Sequence, residues 1–223
     1  MEGGGKKKTT QKYLGQGSYG CTLTPGFNCK GKTNKSQYKV NKIQEINYIS
    51  KNEIEISEFI KKIKHYKKRY VPINKFCIVK FNKIENPHEI TENCDNLISK
   101  YENYYYTNII NKTNLINKQY YMFYMRYVNG SGLKKYLLSD NFKSYDLFFH
   151  EFFYNLYYLL NSIYLLNQYK IVHNDLHYNN ILYDLNYKVP LIIDFGLSYK
   201  YKFLFKNVNG IDYKYINKHF FHW

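Results

Sequence analysis

Asp175 and Asn180 stand five residues apart in His173-Asn174-Asp175-Leu176-His177-Tyr178-Asn179-Asn180, and the apolar run Leu191-Ile192-Ile193 soon leads into Asp194-Phe195-Gly196. No other feature limits the possible fold so strongly. One loop with this spacing can offer a carboxylate as base to an acceptor hydroxyl and an amide oxygen to a magnesium ion. A buried strand ending at Asp194 supplies a second metal ligand from a fixed place. The chemistry indicated is phosphoryl transfer, with Asp175 as base and Asn180 and Asp194 as ligands. His173 reads as a packed structural residue rather than a catalyst.

Gly15-Gln16-Gly17-Ser18-Tyr19-Gly20 lies within residues 13–23, which read as strand, turn and strand. Glycines there let backbone N–H groups approach anionic oxygens. The pattern is weak by itself, since turns and dinucleotide sites produce it too. Here no long helix follows, and Lys42 arrives on a further strand at 38–43. On a period of two, Tyr38, Val40 and Lys42 share one face and Lys39 points to the other. Residues 25–36 read as a polar loop. Residues 52–64 carry Ile56, Phe59, Ile60 and Ile63 at helical spacing, with acids early and lysines late, as the helix dipole favours. Further strands are expected at 76–81, 120–127 and 190–193, and helices at 133–138 and 145–168. A polar insertion rich in Asn and Tyr fills 86–118.

Taken together in this order, the glycine loop, Val40-Asn41-Lys42-Ile43, the Asp175 loop and Asp194-Phe195-Gly196 resemble a eukaryotic-type protein kinase. The loop Gln16-Gly17-Ser18-Tyr19-Gly20-Cys21 is most similar to Ser/Thr kinases of large nucleocytoplasmic DNA viruses. The resemblance runs from Leu14 to Ser198. It implies an α+β, two-lobed fold: a flexible basic tail at 1–12, a β-rich N-lobe with one helix at 13–128, and a helical, incomplete C-lobe at 129–223. It further implies ATP and Mg2+ as cofactors and a protein substrate. Gly15, Gly17, Ser18, Tyr19 and Gly20 would cradle phosphates, with Thr22 and Val40 lining the adenine pocket. Lys42 would reach the first two phosphates, partnered by Glu53. Met125 would guard the back of the pocket, and the backbone of Arg126 and Val128 would meet the adenine edge.

Three departures from the family pattern bear on activity. Thr22 stands where Val is usual above the adenine. Asn174 replaces the arginine that grips a phosphorylated activation loop, so activity without such phosphorylation is expected. His177 replaces the lysine that contacts the transferring phosphate, and a histidine of ordinary pKa, about 6.5, is only partly charged at neutral pH. The Asp-Leu-His-x-x-Asn pattern is also similar to aminoglycoside and choline phosphotransferases, which keeps small-molecule phosphotransfer as an alternative.

Only 27 residues follow Gly196 in a chain of 223, and no Ala-Pro-Glu motif occurs among them. A complete kinase domain runs to about 250 residues, so the C-lobe is expected to be incomplete. A truncated nucleotide-binding scaffold is a second alternative, with a partner covering the incomplete lobe. The formal charge of +16 accompanies a scarcity of Arg, present only at positions 69 and 126, and a complete lack of Ala. That pattern reads as codon bias, so nucleic acid is not expected as the main partner. Cys21, Cys29, Cys77 and Cys94 are too widely spaced for a zinc knuckle, and no secretory signal precedes them. Free thiols and an intracellular location, host cytoplasm or virion if viral, are expected. The apolar run 147–166 is broken by His150, Glu151, Asn155 and Asn161, which suits a buried helix better than a membrane span.

Overall fold

The computed structural model describes residues 12–17, 20–36, 38–85, 94, 118–139, 144–208 and 211–217. They fall into two compact units, 1–50 with 73–127, and 51–72 with 128–223. Residues 51–72 group with the second unit rather than with the strands that precede them. The architecture is α+β, with a sheet-rich first unit and few helices.

In the first unit, alternating side chains build an antiparallel sheet of β1 (Lys12–Gly17), β2 (Gly20–Thr24), β3 (Lys39–Glu45), β4 (Lys75–Lys80) and β5 (Gln119–Arg126), in the order β1-β2-β3-β5-β4. Register places Cys21 opposite Ile43 and Thr22 opposite Lys42. Odd positions of β3 therefore face one side and even positions the other. Ile43 joins Cys21, Leu23, Met122 and Tyr120 in a core completed by Phe27, Val79, Phe81, Ile84 and Cys94. Val40, Lys42 and Gln44 occupy the opposite face.

Residues 25–36 form a loop, as expected, but a tightly held one: Phe27 is fully buried, Gly26 N–H donates to Lys39 O (2.5 Å) and Asn34 Nδ2 donates to Gly26 O (2.7 Å). A Cβ at Gly26 would collide with the Asn41 side chain, so the segment approaches β3 more closely than any other residue would allow. The expectation of free thiols is corrected: Cys21 of β2 pairs with Cys94, and Cys29 pairs with Cys77, which staples the 25–36 segment to β4. Cysteine usage therefore gives no support to a reducing compartment.

The second unit takes most of α1 (Tyr48–Ile60), which starts earlier than the apolar spacing indicates. The reason is a capping arrangement: Asn47 Oδ1 accepts from Ser50 N–H while Ser50 Oγ accepts from Asn47 N–H, both at 2.9 Å. The helix also stops sooner, and the following turns reach His65 at φ 59, a left-handed conformation that no helix continues. Two more helices follow, α2 (Leu133–Leu137) and α3 (Tyr145–Gln168), the latter capped by Ser144, whose side chain accepts from Leu147 N–H. None of the described helices is long and apolar enough to cross a membrane.

β6 (Gly130–Gly132), β8 (Ile181–Asp184) and β9 (Val189–Ile192) form one sheet of the second unit, and β7 (Ile171–Val172) and β10 (Tyr199–Lys200) pair in another. Beyond these, β11 (Lys202–Val208) and β12 (Ile211–Asn217) form a hairpin. The core gathers Ile56 and Ile60 of α1, Leu159 and Leu166 of α3, and Tyr70, Ile171, Ile192 and Phe195. Arg69 O accepts from Ile192 N–H (2.9 Å) and Ile192 O from Val71 N–H (3.0 Å), so the chain leaving α1 is fixed to β9.

Candidate active site

Asn180 is the centre of the catalytic-loop geometry. It closes a short 3-10 turn, Tyr178–Asn180, and is buried. Its Nδ2 donates to Asp175 O (2.9 Å) and Asp175 Oδ2 (3.1 Å), and its backbone carbonyl accepts from Ile193 N–H (3.0 Å). The amide is thereby oriented with its nitrogen on Asp175, and Asp194 follows the residue that grips its backbone. Asp194 has φ 61 and Asn174 φ 59, left-handed values for which Asp and Asn are the best suited side chains after glycine. The second unit joins Asp175 directly to Asn180 and sets Asp194 next in the chain to the residue bonded to Asn180.

His177 is turned into this loop. Its Nδ1 accepts from Asn179 N–H (3.3 Å), and its Nε2 lies 3.1 Å from Asn180 Nδ2 and 3.7 Å from Asp175 Oδ2. Both acidic and imidazole side chains are about two-fifths exposed, so solvent screens their attraction and little stability rests on it.

His173 is buried, as expected of a structural residue. Nε2 donates to Ile193 O (2.9 Å), Nδ1 accepts from Asp175 N–H (3.4 Å), and the ring packs 5.0 Å from that of Phe195. This pattern requires the neutral Nε2–H tautomer. Burial pushes its pKa below the usual 6.5, against the opposing effects of the Ile193 carbonyl, Asp194 and Asp175. The unfolded chain therefore binds the proton more readily than the folded one. Stability is full above pH 6.5 and falls as pH drops below it toward the depressed folded value. Urea unfolding between pH 7.5 and 5.5 is expected to show a decline that shrinks in His173→Gln; an equal decline in both would assign it to other groups.

Asn52 is a site residue that sequence reasoning missed. It is buried, and Nδ2 donates to Gly196 O (2.9 Å) and Ser198 O (2.7 Å), while Ser198 Oγ donates to His173 O (3.0 Å). One side chain thus ties α1 to the turn after Asp194. The available signal was an Asn beside Glu53 on a helix face that is otherwise apolar. Asn52→Leu leaves two buried carbonyls without their donor and is expected to cost about 2 kcal/mol, read from the urea midpoint; a change below about 0.5 kcal/mol would show that the tie carries no weight.

On α1, Glu53 is 2 % exposed, whereas Glu55 and Glu58 face solvent and Glu58 pairs with Lys61 at 2.5 Å. In the first unit, Lys42 is buried on β3 with Val40 and Thr22 on the same face. Gly15, Gly17 and Gly20 stand at the end of the β1–β2 hairpin, and Ser18 and Tyr19 lie outside the described residues. Met125 and Arg126 close β5, each partly exposed, and Val128 opens the second unit. The insertion at 86–118 lies outside the described residues except Cys94 and Lys118.

The donors in the loop suit a small hard cation. Amide and carboxylate oxygens are what magnesium prefers, and it takes few of them from protein when phosphates supply others. Among the described residues no group of three or more His, Cys, Asp and Glu gathers that could hold a metal ion.

A family model described as protein tyrosine and serine/threonine kinase matches residues 66–204. A relative from Dictyostelium discoideum, the probable inactive serine/threonine-protein kinase samkD, is 28% identical over 165 residues, covering 72% of this chain and 28% of the relative. The chain therefore matches less than a third of that protein's length. The family match begins after β3 and Glu53 but holds α3, the Asp175–Asn180 loop and the Asp194 turn within more than half of the sequence, and by it the chain belongs to the protein tyrosine and serine/threonine kinase family.

Proposed function

We propose that the chain is an ATP- and magnesium-dependent protein kinase acting on Ser and Thr hydroxyls. The observation that carries this reading is the bonding of Asn180 to both Asp175 oxygens and to Ile193, with Asp194 next in the chain. Asp175 orients the acceptor hydroxyl and takes its proton as the oxygen bonds to the γ-phosphorus, while the bond from that phosphorus to the β–γ bridging oxygen breaks and ADP leaves with the oxygen. Asn180 and Asp194 would hold magnesium, which would supply positive charge to offset that of the phosphates. Lys42 and Glu53, each buried in its own unit, are the opposite charges assigned to phosphate binding. Gly15, Gly17, Ser18, Tyr19 and Gly20 receive phosphate oxygens on backbone N–H groups, and Thr22, Val40, Met125, Arg126 and Val128 hold the adenine. His177, bonded within its own loop, positions Asp175 and Asn180.

The relative's name favours a second reading, a nucleotide-binding scaffold without turnover. Magnesium-dependent transfer of labelled γ-phosphate to the chain itself and to basic and acidic proteins separates the two, with Asp175→Ala alongside. Label on Ser or Thr that vanishes in the variant supports the kinase. ATP binding without transfer supports the scaffold, and transfer only to small hydroxylated molecules would replace the protein acceptor.

A further inference from the structure

The two disulfides of the first unit differ in what surrounds their sulfurs. Cys21 and Cys94 are fully buried in its core, whereas Cys29 is exposed and Cys77 half-buried. Cys29 stands on a tight turn whose shape is fixed from within. Asn28 N–H donates to Lys32 O (2.8 Å), and Asn28 Oδ1 accepts from Lys30 N–H (2.9 Å) and Lys32 N–H (3.2 Å). The turn thus has bonds of its own besides the disulfide. Exposed Lys30 and Lys32 put positive charge beside the sulfur, while the nearby acid Glu85 accepts from Thr33 N–H (2.8 Å). Positive surroundings favour thiolates.

The Tyr124 hydroxyl lies among three sulfurs: Cys29 Sγ at 3.2 Å, Cys77 Sγ at 3.7 Å and Met122 Sδ at 3.7 Å. Neither sulfur of a disulfide carries a proton, so the hydroxyl is the donor in these contacts. Burial pushes its pKa above the usual 10, and the proton stays in place where thiols exchange. Lys75 Nζ, 4.7 Å from the centre of the same ring, adds a third cation.

We propose that Cys29–Cys77 is a thiol–disulfide exchange site that takes a small anionic thiol at Cys29, with Tyr124 as the donor that eases the departure of Cys77. The incoming thiolate attacks Cys29 Sγ, the exposed sulfur. A new S–S bond forms there, the Cys29–Cys77 bond breaks, and its electron pair leaves on Cys77 Sγ, to which the Tyr124 hydroxyl donates. Stabilising the leaving thiolate speeds exchange. A second thiolate of the same kind attacks the outer sulfur of the mixed disulfide and frees Cys29 as a thiolate. Two cysteines are then reduced and two small thiols oxidised to their disulfide. The 25–36 segment is thereby released from β4, but its bond from Gly26 to Lys39 and its buried Phe27 involve neither sulfur. Exchange therefore takes place on the folded chain.

The test uses the full oxidised chain and reduced glutathione. It needs neither ATP nor phosphate transfer, so it stands or falls apart from the proposed activity. Brief exposure, a quench with N-ethylmaleimide and peptide mass spectrometry are expected to find glutathione on Cys29, maleimide on Cys77 and Cys21–Cys94 intact. Tyr124→Phe is expected to slow the appearance of this adduct about 5-fold, the worth of one hydrogen bond to the leaving sulfur. A hydroxyl that merely held the loop would give the opposite sign, since a loosened loop is attacked faster. The adduct map is read on the wild-type chain and decides the site even if the variant fails to fold. Glutathione on Cys77, equal reaction at Cys21 and Cys94, or a chain that takes no glutathione would overturn the proposal. So would a folded Tyr124→Phe that exchanges as fast as wild type.

Discussion

Asp194→Asn is expected to reduce phosphate transfer by about 1,000-fold, the scale of losing one preorganised charge at the developing phosphoryl charge. The substitution keeps the side chain's size and its tolerance of φ 61, so the backbone at the turn has no reason to move. The substitution removes the negative charge of the proposed metal ligand. Unfolding by urea is expected to shift by less than about 0.5 kcal/mol, and magnesium dependence should move to higher concentration. Asp175→Ala is expected to lose transfer to a similar extent with ATP and magnesium binding retained, because the role proposed for that carboxylate is toward the acceptor. If both variants turned over like wild type, the measured transfer would belong to a contaminating enzyme and the catalytic assignment would fail.

The parts of this site that the sequence made legible are those where spacing along the chain is itself the geometry. Asp175 and Asn180 belong to one turn, so five residues suffice to place them, and Asp194 is set by the end of a strand recognisable from Leu191 to Ile193. Glu53 could be separated from Glu55 and Glu58 because helical period decides which of the three is buried. Helix α3 came out with its bounds because a capping serine and a long apolar stretch coincide there. Illegible were contacts made across long separations by residues of no special type. Asn52 reaches Gly196 and Ser198 over more than 140 positions, and its place on an apolar helix face does not say which carbonyls it meets. Phe27 is one aromatic residue in a polar stretch, and only the fold shows the sheet face it covers. Lacking a local signature, cysteine pairing is equally invisible: four cysteines allow three full pairings, and spacing chooses none of them.

The two disulfides carry the other large expected effect. Cys21–Cys94 closes a separation of 73 residues and Cys29–Cys77 one of 48. Chain-entropy reasoning assigns about 4 kcal/mol to each, a large share of the 5–15 kcal/mol or so that holds a domain together. Full reduction is therefore expected to unfold the first unit at much lower urea while the second unit, which contains none of these cysteines, keeps its transition. The order of opening follows from access. Cys29 is exposed and Cys77 partly so, whereas Cys21 and Cys94 are fully buried in the sheet's core, and exchange requires a thiolate to reach the sulfur. Mild reductant is expected to release Cys29 and Cys77 to alkylation first, with Cys21 and Cys94 appearing only as the unit unfolds. Mass spectrometry of alkylated peptides reads this directly. Four cysteines that all react in the unreduced native protein would contradict both pairings, and the stapled layer over the first sheet would then have to hold by the packing of Phe27, Phe81 and Ile84 alone.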